Sequence, residues 1–470
     1  MVVLDATIVN IALPSAQKAL DISDADRQWV ITAYTLAFGG LLLLGGRISD
    51  YWGRKRAFMV GAVGFAAASA LGGLATSGAM LFAARALQGA FGALLAPASL
   101  ALLTVLFTEA RERAKAFAVY GAIAGGGSAV GLLLGGVLTE YANWRWCLLV
   151  NIPVALVALA LAIPLVPESR AHGDTTYDIP GAVVVTLGLA SLVYGFTEAA
   201  KPDEGWSSPV TLGFIAAGVV LIAIFVWLQR RARNPLLPLR IVADRNRGGA
   251  YITSALVGAG LFGAFLFLTL YQQNVLGYTP LKAGFASLPV TVGVLISATV
   301  ASNLLPRIGA KPLMIVGPIL AAAGMIWLRF IDLDTSFWAH LMPAQVLLGL
   351  GLGFTFVPLS SLALVGVPEH DEGAASAALN ATQQVGGSLG TALLNTIATS
   401  AITAYVTSHL PSAKSPAEGQ QIGLLAQIDG YSAAFTWAAA MILLAAVVSA
   451  VFIKVRKSDL PVEGAGAHLG

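Results

Sequence analysis

The chain has little of what a soluble enzyme uses. A single cysteine, Cys147, among 470 residues excludes an internal disulfide and any multi-cysteine metal site, and it reads as a small apolar packing residue. Charged residues make up only 11%, and a net charge of +3 does not point to nucleic acid. The five histidines read as loop or tail residues, which leaves no buried histidine relay. No phosphate-loop sequence is present, so ATP-driven transport is excluded. No nucleophile with its base and no cluster of metal ligands falls at membrane depth, so the chain does not read as an enzyme. The connections are too short to hold an added soluble sensor domain.

What the chain has instead is apolar length. Hydrophobic residues are 57% of it, and apolar runs recur at about 20 residues, the length that spans a bilayer. The pattern predicts an all-α polytopic membrane protein of fourteen transmembrane helices. They are 1 to 16, 28 to 46, 57 to 77, 80 to 106, 116 to 138, 146 to 166, 180 to 200, 209 to 229, 249 to 272, 283 to 305, 312 to 330, 338 to 366, 374 to 406 and 430 to 453. The first is short for a span, since a helix centred near Asp5 would need roughly ten more residues ahead of it; a chain that starts earlier is expected. No cleavable signal peptide is visible.

Orientation follows from the basic residues in alternate connections. One set, which includes Arg47, Arg54, Lys55, Arg56 and the six arginines between 230 and 247, holds nineteen; the other holds seven, from Lys18 to Lys414; Arg85 falls within a helix. Both termini are therefore expected in the cytoplasm. The six-arginine connection reads as a solvated linker that can also meet anionic headgroups.

An internal repeat sets the architecture. GRKRAFMVG, from Gly53, reads against GAKPLMIVG, from Gly309; Gly92, Pro97 and Ser99 recur as Gly353, Pro358 and Ser360; Gly126, Gly127 and Ser128 recur as Gly386, Gly387 and Ser388. The offsets are 256, 261 and 260 residues, a drift of loop size. Two related six-helix bundles are predicted, 1 to 166 and 249 to 456, with two inserted helices and a cytoplasmic linker at 167 to 248 and a cytoplasmic tail at 457 to 470. Parallel repeats of this kind form transporters whose substrate path lies between the halves. The inserted pair reads as scaffold rather than pathway.

Few ionisable groups lie inside the spans: Asp5, Arg85, and Glu198 near a helix end. A carboxylate in low dielectric is costly. Burial disfavours its charged form and a nearby cation favours it, so such a group can hold a proton in one state and release it in another. The plain alternative is a buried aspartate that only hydrogen-bonds its neighbours. Arg85 cannot neutralise and must find a carboxylate, carbonyls or water. At the ends of helices 2 and 3, Gly46 and Gly53 permit a tight turn beside Asp50, Arg54 and Arg56. Asp50 can accept from Arg54 or cap the positive end of helix 13 near Gly373; a plain positive-inside turn is the alternative. Gly121, Gly125, Gly131, Gly135 and Gly136 let helix 5 approach a neighbour closely.

These stretches resemble the major facilitator superfamily. GGRISDYWGRKR, Gly45 to Arg56, is similar to its helix 2 to 3 signature, and RALQGAFGA, Arg85 to Ala93, to its helix 4 signature; LDATIVNIALP, Leu4 to Pro14, with WRWCLLVNIP, Trp144 to Pro153, resembles the fourteen-helix drug:proton antiporter branch. The resemblance covers almost the whole chain. It implies the major facilitator fold and proton-driven export of lipophilic, cationic or neutral drugs, antiseptics or antibiotics, with the proton gradient in place of a cofactor. It implies proton coupling by Asp5 and Arg85, a cytoplasmic gate at Gly46, Asp50, Gly53, Arg54 and Arg56, and a cavity on whose helices Tyr34, Tyr120, Phe265, Tyr271, Phe354 and Gln384 fall. Aromatic rings there can hold a cation, although each of these residues taken singly reads as packing before ligand. Antiporters of the family carry Gly-Pro before the final glycine pair of helix 5; Leu132 takes the proline position here, so close packing is expected and the antiport inference does not rest on this motif. The expected partners are a small lipophilic substrate, protons and membrane lipid, with the chain a monomer. A dedicated exporter of a lipid or an endogenous antibiotic is the nearest alternative, and a proton-linked nutrient symporter the next.

Overall fold

The computed structural model describes residues 1–107, 109–170, 177–201, 203–232, 235–237, 239–367 and 372–455. In a bilayer every backbone polar group must be satisfied within the protein, which leaves helices for a chain of this composition. Among the described residues there are fourteen long helices and no strand. The first six are α1 (Val2–Ala19), α2 (Trp29–Trp52), α3 (Arg54–Gly73), α4 (Gly78–Leu106), α5 (Ala110–Tyr141) and α6 (Trp146–Leu165). Two more follow, α7 (Ile179–Ala199) and α8 (Pro209–Arg231). The last six are α9 (Arg245–Val275), α10 (Pro280–Ile308), α11 (Ala310–Leu328), α12 (Phe337–Leu364), α13 (Glu372–His409) and α14 (Pro416–Phe452). By length and composition, 12 of them can cross a membrane. The two outside that set are α1, which carries Asp5, Asn10, Gln17 and Lys18 in 18 residues, and α5.

Several helix pairs recur in the two parts of the chain. In the first half α1 packs on α5, α4 on both α2 and α3, and α3 on α6; in the second, α9 packs on α13, α12 on both α10 and α11, and α11 on α14. Small residues make the same close approaches in both: Gly45 lies on the Ala93 carbonyl of α4, and Gly349 lies on the Val290 carbonyl of α10. Without a hydrophobic drive between helices in lipid, such backbone contact is what holds a bundle.

One boundary departs from expectation. The last helix begins at Pro416, well before the predicted start at 430, because PAEGQQ is too polar to register as a span. Local chemistry starts it there: Ser415 Oγ accepts from the Glu418 amide at 3.2 Å, and Glu418 reaches back to the Lys414 amide at 2.6 Å, a capping arrangement with proline at the first helical position. With 38 and 37 residues, α13 and α14 run about 55 Å each, well beyond the roughly 30 Å hydrocarbon core. Two histidines are helical rather than in loops: His340 lies in the π turn Phe337–Leu341 that opens α12, and His409 ends α13.

The face of the molecule with the α2–α3, α8–α9 and α10–α11 connections holds most of the arginines and is called the basic face below. The other is the opposite face. Hydrogen bonds join the two halves on the opposite side: Arg27 Nε to Asn395 Oδ1 at 3.2 Å, Thr35 Oγ1 with Ser388 Oγ at 2.8 Å, Gln273 Nε2 to the Ile11 carbonyl at 2.9 Å and the Leu281 amide to Glu140 Oε2 at 3.0 Å.

Candidate coupling site and gate

Asp5 and Arg85 meet. The Asp5 carboxylate is fully buried, as are Arg85, Gln88, Asn151 and Ser69. Arg85 Nη1 donates to Asp5 Oδ2 in an ion pair, while Oδ1 accepts from Gln88 Nε2 at 3.0 Å and from Asn151 Nδ2 at 2.9 Å. Three side chains on α4 and α6 thus hold one carboxylate on α1. Arg85 is itself fixed: Nε donates to the Val30 carbonyl of α2 at 2.9 Å, Nη1 also to Gln88 Oε1 at 2.8 Å, and the guanidinium stands 4.4 Å over the Tyr34 ring. Gln88 Nε2 lies 2.6 Å from Ser69 Oγ on α3. Gln88 follows Arg85 by one helical turn, which puts both on the same face of α4.

Chemically, this cage is built for the charged carboxylate, since ionised aspartate accepts at both oxygens and donates at none. Arg85 can only donate, whereas the Gln88 and Asn151 amides each carry an oxygen as well and can turn it toward a donor; Asn151 Oδ1 is buried without a partner among the described residues.

At the basic face, Asp50 Oδ1 accepts from Arg54 Nε at 3.1 Å and Nη2 at 2.9 Å, the first of its two expected partners. The predicted cap of α13 near Gly373 lies outside the described side chains. Gly53 turns the chain at φ +128, where a side chain is strained, and a Cβ there would fall 2.6 Å from Glu168 Oε1. That carboxylate accepts from the Lys55 amide at 3.2 Å and lies 3.6 Å from Arg56 Nε, so Glu168 caps α3 from the chain beyond α6. Gly46 meets Pro97 at an ordinary 3.6 Å.

The Major Facilitator Superfamily model matches residues 1–391. The chain belongs to this family. Its relatives include the puromycin resistance protein pur8 of Streptomyces alboniger, 49% identical over 97% of this chain and 89% of that one. The cephamycin export protein CmcT of Amycolatopsis lactamdurans is 38% identical over 87% and 85%. Among solved structures, an inward-facing, unoccupied bacterial homologue of the human lysosomal transporter Spinster shares the fold, with a TM-score of 0.63 at 14% identity over 95% of each chain.

Within this facilitator fold the remaining predicted residues take different places. Gly131 lies against Thr7 and the Leu4 carbonyl, and Gly135 against Ile8, so both pack on α1, whereas Gly136 packs on Leu281 of α10. Leu132 is buried with Ile11 and Ala283. Tyr120, Gly121 and Gly125 lie outside the described side chains. Tyr34 is buried beneath Arg85, and its hydroxyl has no hydrogen-bond partner among the described residues. Phe265 and Phe354 are half-buried. Gln384 is half-buried against Gly39 of α2. Tyr271 is fully buried, and its hydroxyl donates to the Asp332 carbonyl at 2.5 Å, which anchors the end of α9.

Sequence reasoning missed Gln88, Asn151, Glu168, Arg27 and Asn395. Gln88 and Asn151 sit inside the quoted motifs and could have been found there as polar residues one helical turn from Arg85 or inside a span. Arg27 was counted in a connection but is buried at the head of α2.

Proposed function

We propose that this chain is a proton-coupled antiporter that exports small lipophilic molecules, antibiotics among them, by alternating access. The observation that carries the reading is the buried Asp5 cage, an ionisable group at membrane depth ion-paired to Arg85 beside Tyr34 on a seam helix. The basic face lies in the cytoplasm with both termini, by the bias of lysine and arginine, in a bacterial cytoplasmic membrane. The working units are two six-helix bundles, 1 to 166 and 249 to 456, in a monomer that needs lipid and no cofactor. With the halves hydrogen-bonded at the opposite face, the path opens to the cytoplasm and Asp5 has released its proton. Substrate binds here. After the halves rock over, Asp5 takes a proton from outside, Arg85 swings off it, and the empty carrier returns.

The test is efflux of ethidium from proteoliposomes with and without a proton gradient. Asp5→Asn keeps the shape but cannot titrate, and gradient-driven efflux is expected to vanish. Efflux that survives moves coupling elsewhere. A dedicated antibiotic exporter is favoured by one observation, that relatives named for puromycin resistance and cephamycin export align over nearly the full chain. If cells gain puromycin resistance while ethidium is not moved, that reading holds.

A further inference from the structure

Two adjacent residues of α13 carry bonds that leave their own half. Asn395 is fully buried, and its amide is used completely: Oδ1 accepts from Arg27 Nε at 3.2 Å, and Nδ2 donates to the carbonyls of Asp24 at 2.9 Å and Ala25 at 3.2 Å. One donor and two acceptors from the α1–α2 connection thus match one amide, and turning the amide over would oppose like groups. Next to it, Thr396 Oγ1 donates to the Phe196 carbonyl of α7 at 2.6 Å.

The inserted helix α7 packs on α2 and α13 to a like extent and differs between them only in where it is held. Along α2 it is held at the opposite end by Gln28 Nε2 on Thr197 Oγ1 at 2.5 Å and midway by Thr186 against Gly40. Toward the basic face, Ala182 and Val184 share a cluster with Leu41, Leu43 and Leu44, and Arg47 Nη2 donates to the Pro235 carbonyl of the linker at 2.8 Å. Toward α13 its apolar contacts are with Val385, Leu389 and Ala392, and Thr396 lies beyond them. The basic-face cluster holds residues of α2, α8 and the linker and, among the described residues, none of α13, so separation of the halves at the opposite face leaves α7 its hold on α2.

We propose that Asn395 and Thr396 are the latch of the outer face, and that the inserted pair α7–α8 travels with the N-terminal bundle when the latch opens. The proposal rests on the alternating-access reading above. The arrangement suits release. Arg27 Nη1 already pairs with Asp24 Oδ1 at 2.9 Å, and Asp24 is half exposed, so when Asn395 withdraws no bare charge is left behind. The freed carbonyls of Asp24 and Ala25 meet water in the opened crevice. The two inserted helices then act as a wall of the N-terminal half that α13 leaves.

The experiment uses the full chain with Cys147→Ser, which removes the one thiol, and Ser388→Cys as a reporter on the seam, 1% exposed in the closed arrangement. A membrane-impermeant maleimide is added from outside. Asn395→Ala with Thr396→Val is expected to raise the labelling rate at least tenfold over the parent reporter, and Thr396→Val alone, which keeps the side-chain volume, to raise it by a smaller factor. Rates within twofold of the parent for both variants overturn the latch. Spin-label distances give a second reading: Val219→Cys on α8 paired with Val63→Cys on α3 keeps its distance on opening, while Val219→Cys paired with Val300→Cys on α10 changes. The reverse result overturns the assignment of the inserted pair. The parent reporter's own response to ethidium and a pH gradient tests alternating access separately, so failure of the latch and failure of that reading are told apart.

Discussion

Asp5 receives one guanidinium and two amides, and their value is unequal. A buried ion pair adds little net stability, yet removing one partner leaves the other charge uncompensated at about 3–5 kcal/mol. Arg85→Lys keeps the charge but loses the fork that reaches Val30, Gln88 and Asp5 together. Gradient-driven ethidium efflux in that variant is expected to fall at least tenfold with the protein still inserted, and full transport would remove Arg85 from coupling. Asn151→Leu takes away one of the two amide donors on Asp5 Oδ1. A partial loss, smaller than that of Arg85→Lys, is expected in the same efflux assay.

At the scale of elements, glycine decides how close α1 and α5 stand. A side chain at Gly131 would meet Thr7 and the Leu4 carbonyl, which flank Asp5 in the chain. Gly131→Leu is expected to lower stability by about 1–3 kcal/mol through overpacking and to impair transport by shifting the α1 carboxylate; a melting curve in detergent that matches the native one would contradict this. The α2–α3 turn depends on Glu168 in a similar way. It supplies a carboxylate to the head of α3, a position where such caps are worth about 1 kcal/mol. Glu168→Ala is expected to loosen the Gly53 turn, which would show as faster amide exchange at Arg54 and Lys55 with α6 unaffected.

For the whole molecule, the bias of basic residues predicts which way it sits. In the cysteine-free chain, Trp338→Cys, on the opposite face and 74% exposed, should label with an impermeant maleimide in intact cells. Trp52→Cys, on the basic face and 42% exposed, should label only after the cells are opened. The inverse pattern would turn the transporter over and place its path open to the outside.

The all-helical membrane fold, the order of most of its helices and the presence of a carboxylate, Asp5, in the first apolar segment were legible in the residues alone, because bilayer length and hydropathy act on each segment independently of the rest. Asp5 and Arg85 stood out for the same reason, since a charge in an apolar run is visible without knowing its neighbours; Asp50 and Arg54 stood out through the glycine turn and the motif they share. The extended start of α14 escaped because its first turns are polar and leave the membrane. What only tertiary structure decided is which distant residues share one site. Gln88 and Asn151 look ordinary until packing brings α4 and α6 onto Asp5, and Asn395 looks like any polar helix residue until α13 lies across the head of α2. Their meaning rests on a partner up to 371 residues away, and no local pattern encodes a contact whose free energy depends on burial that the folded bundles alone create.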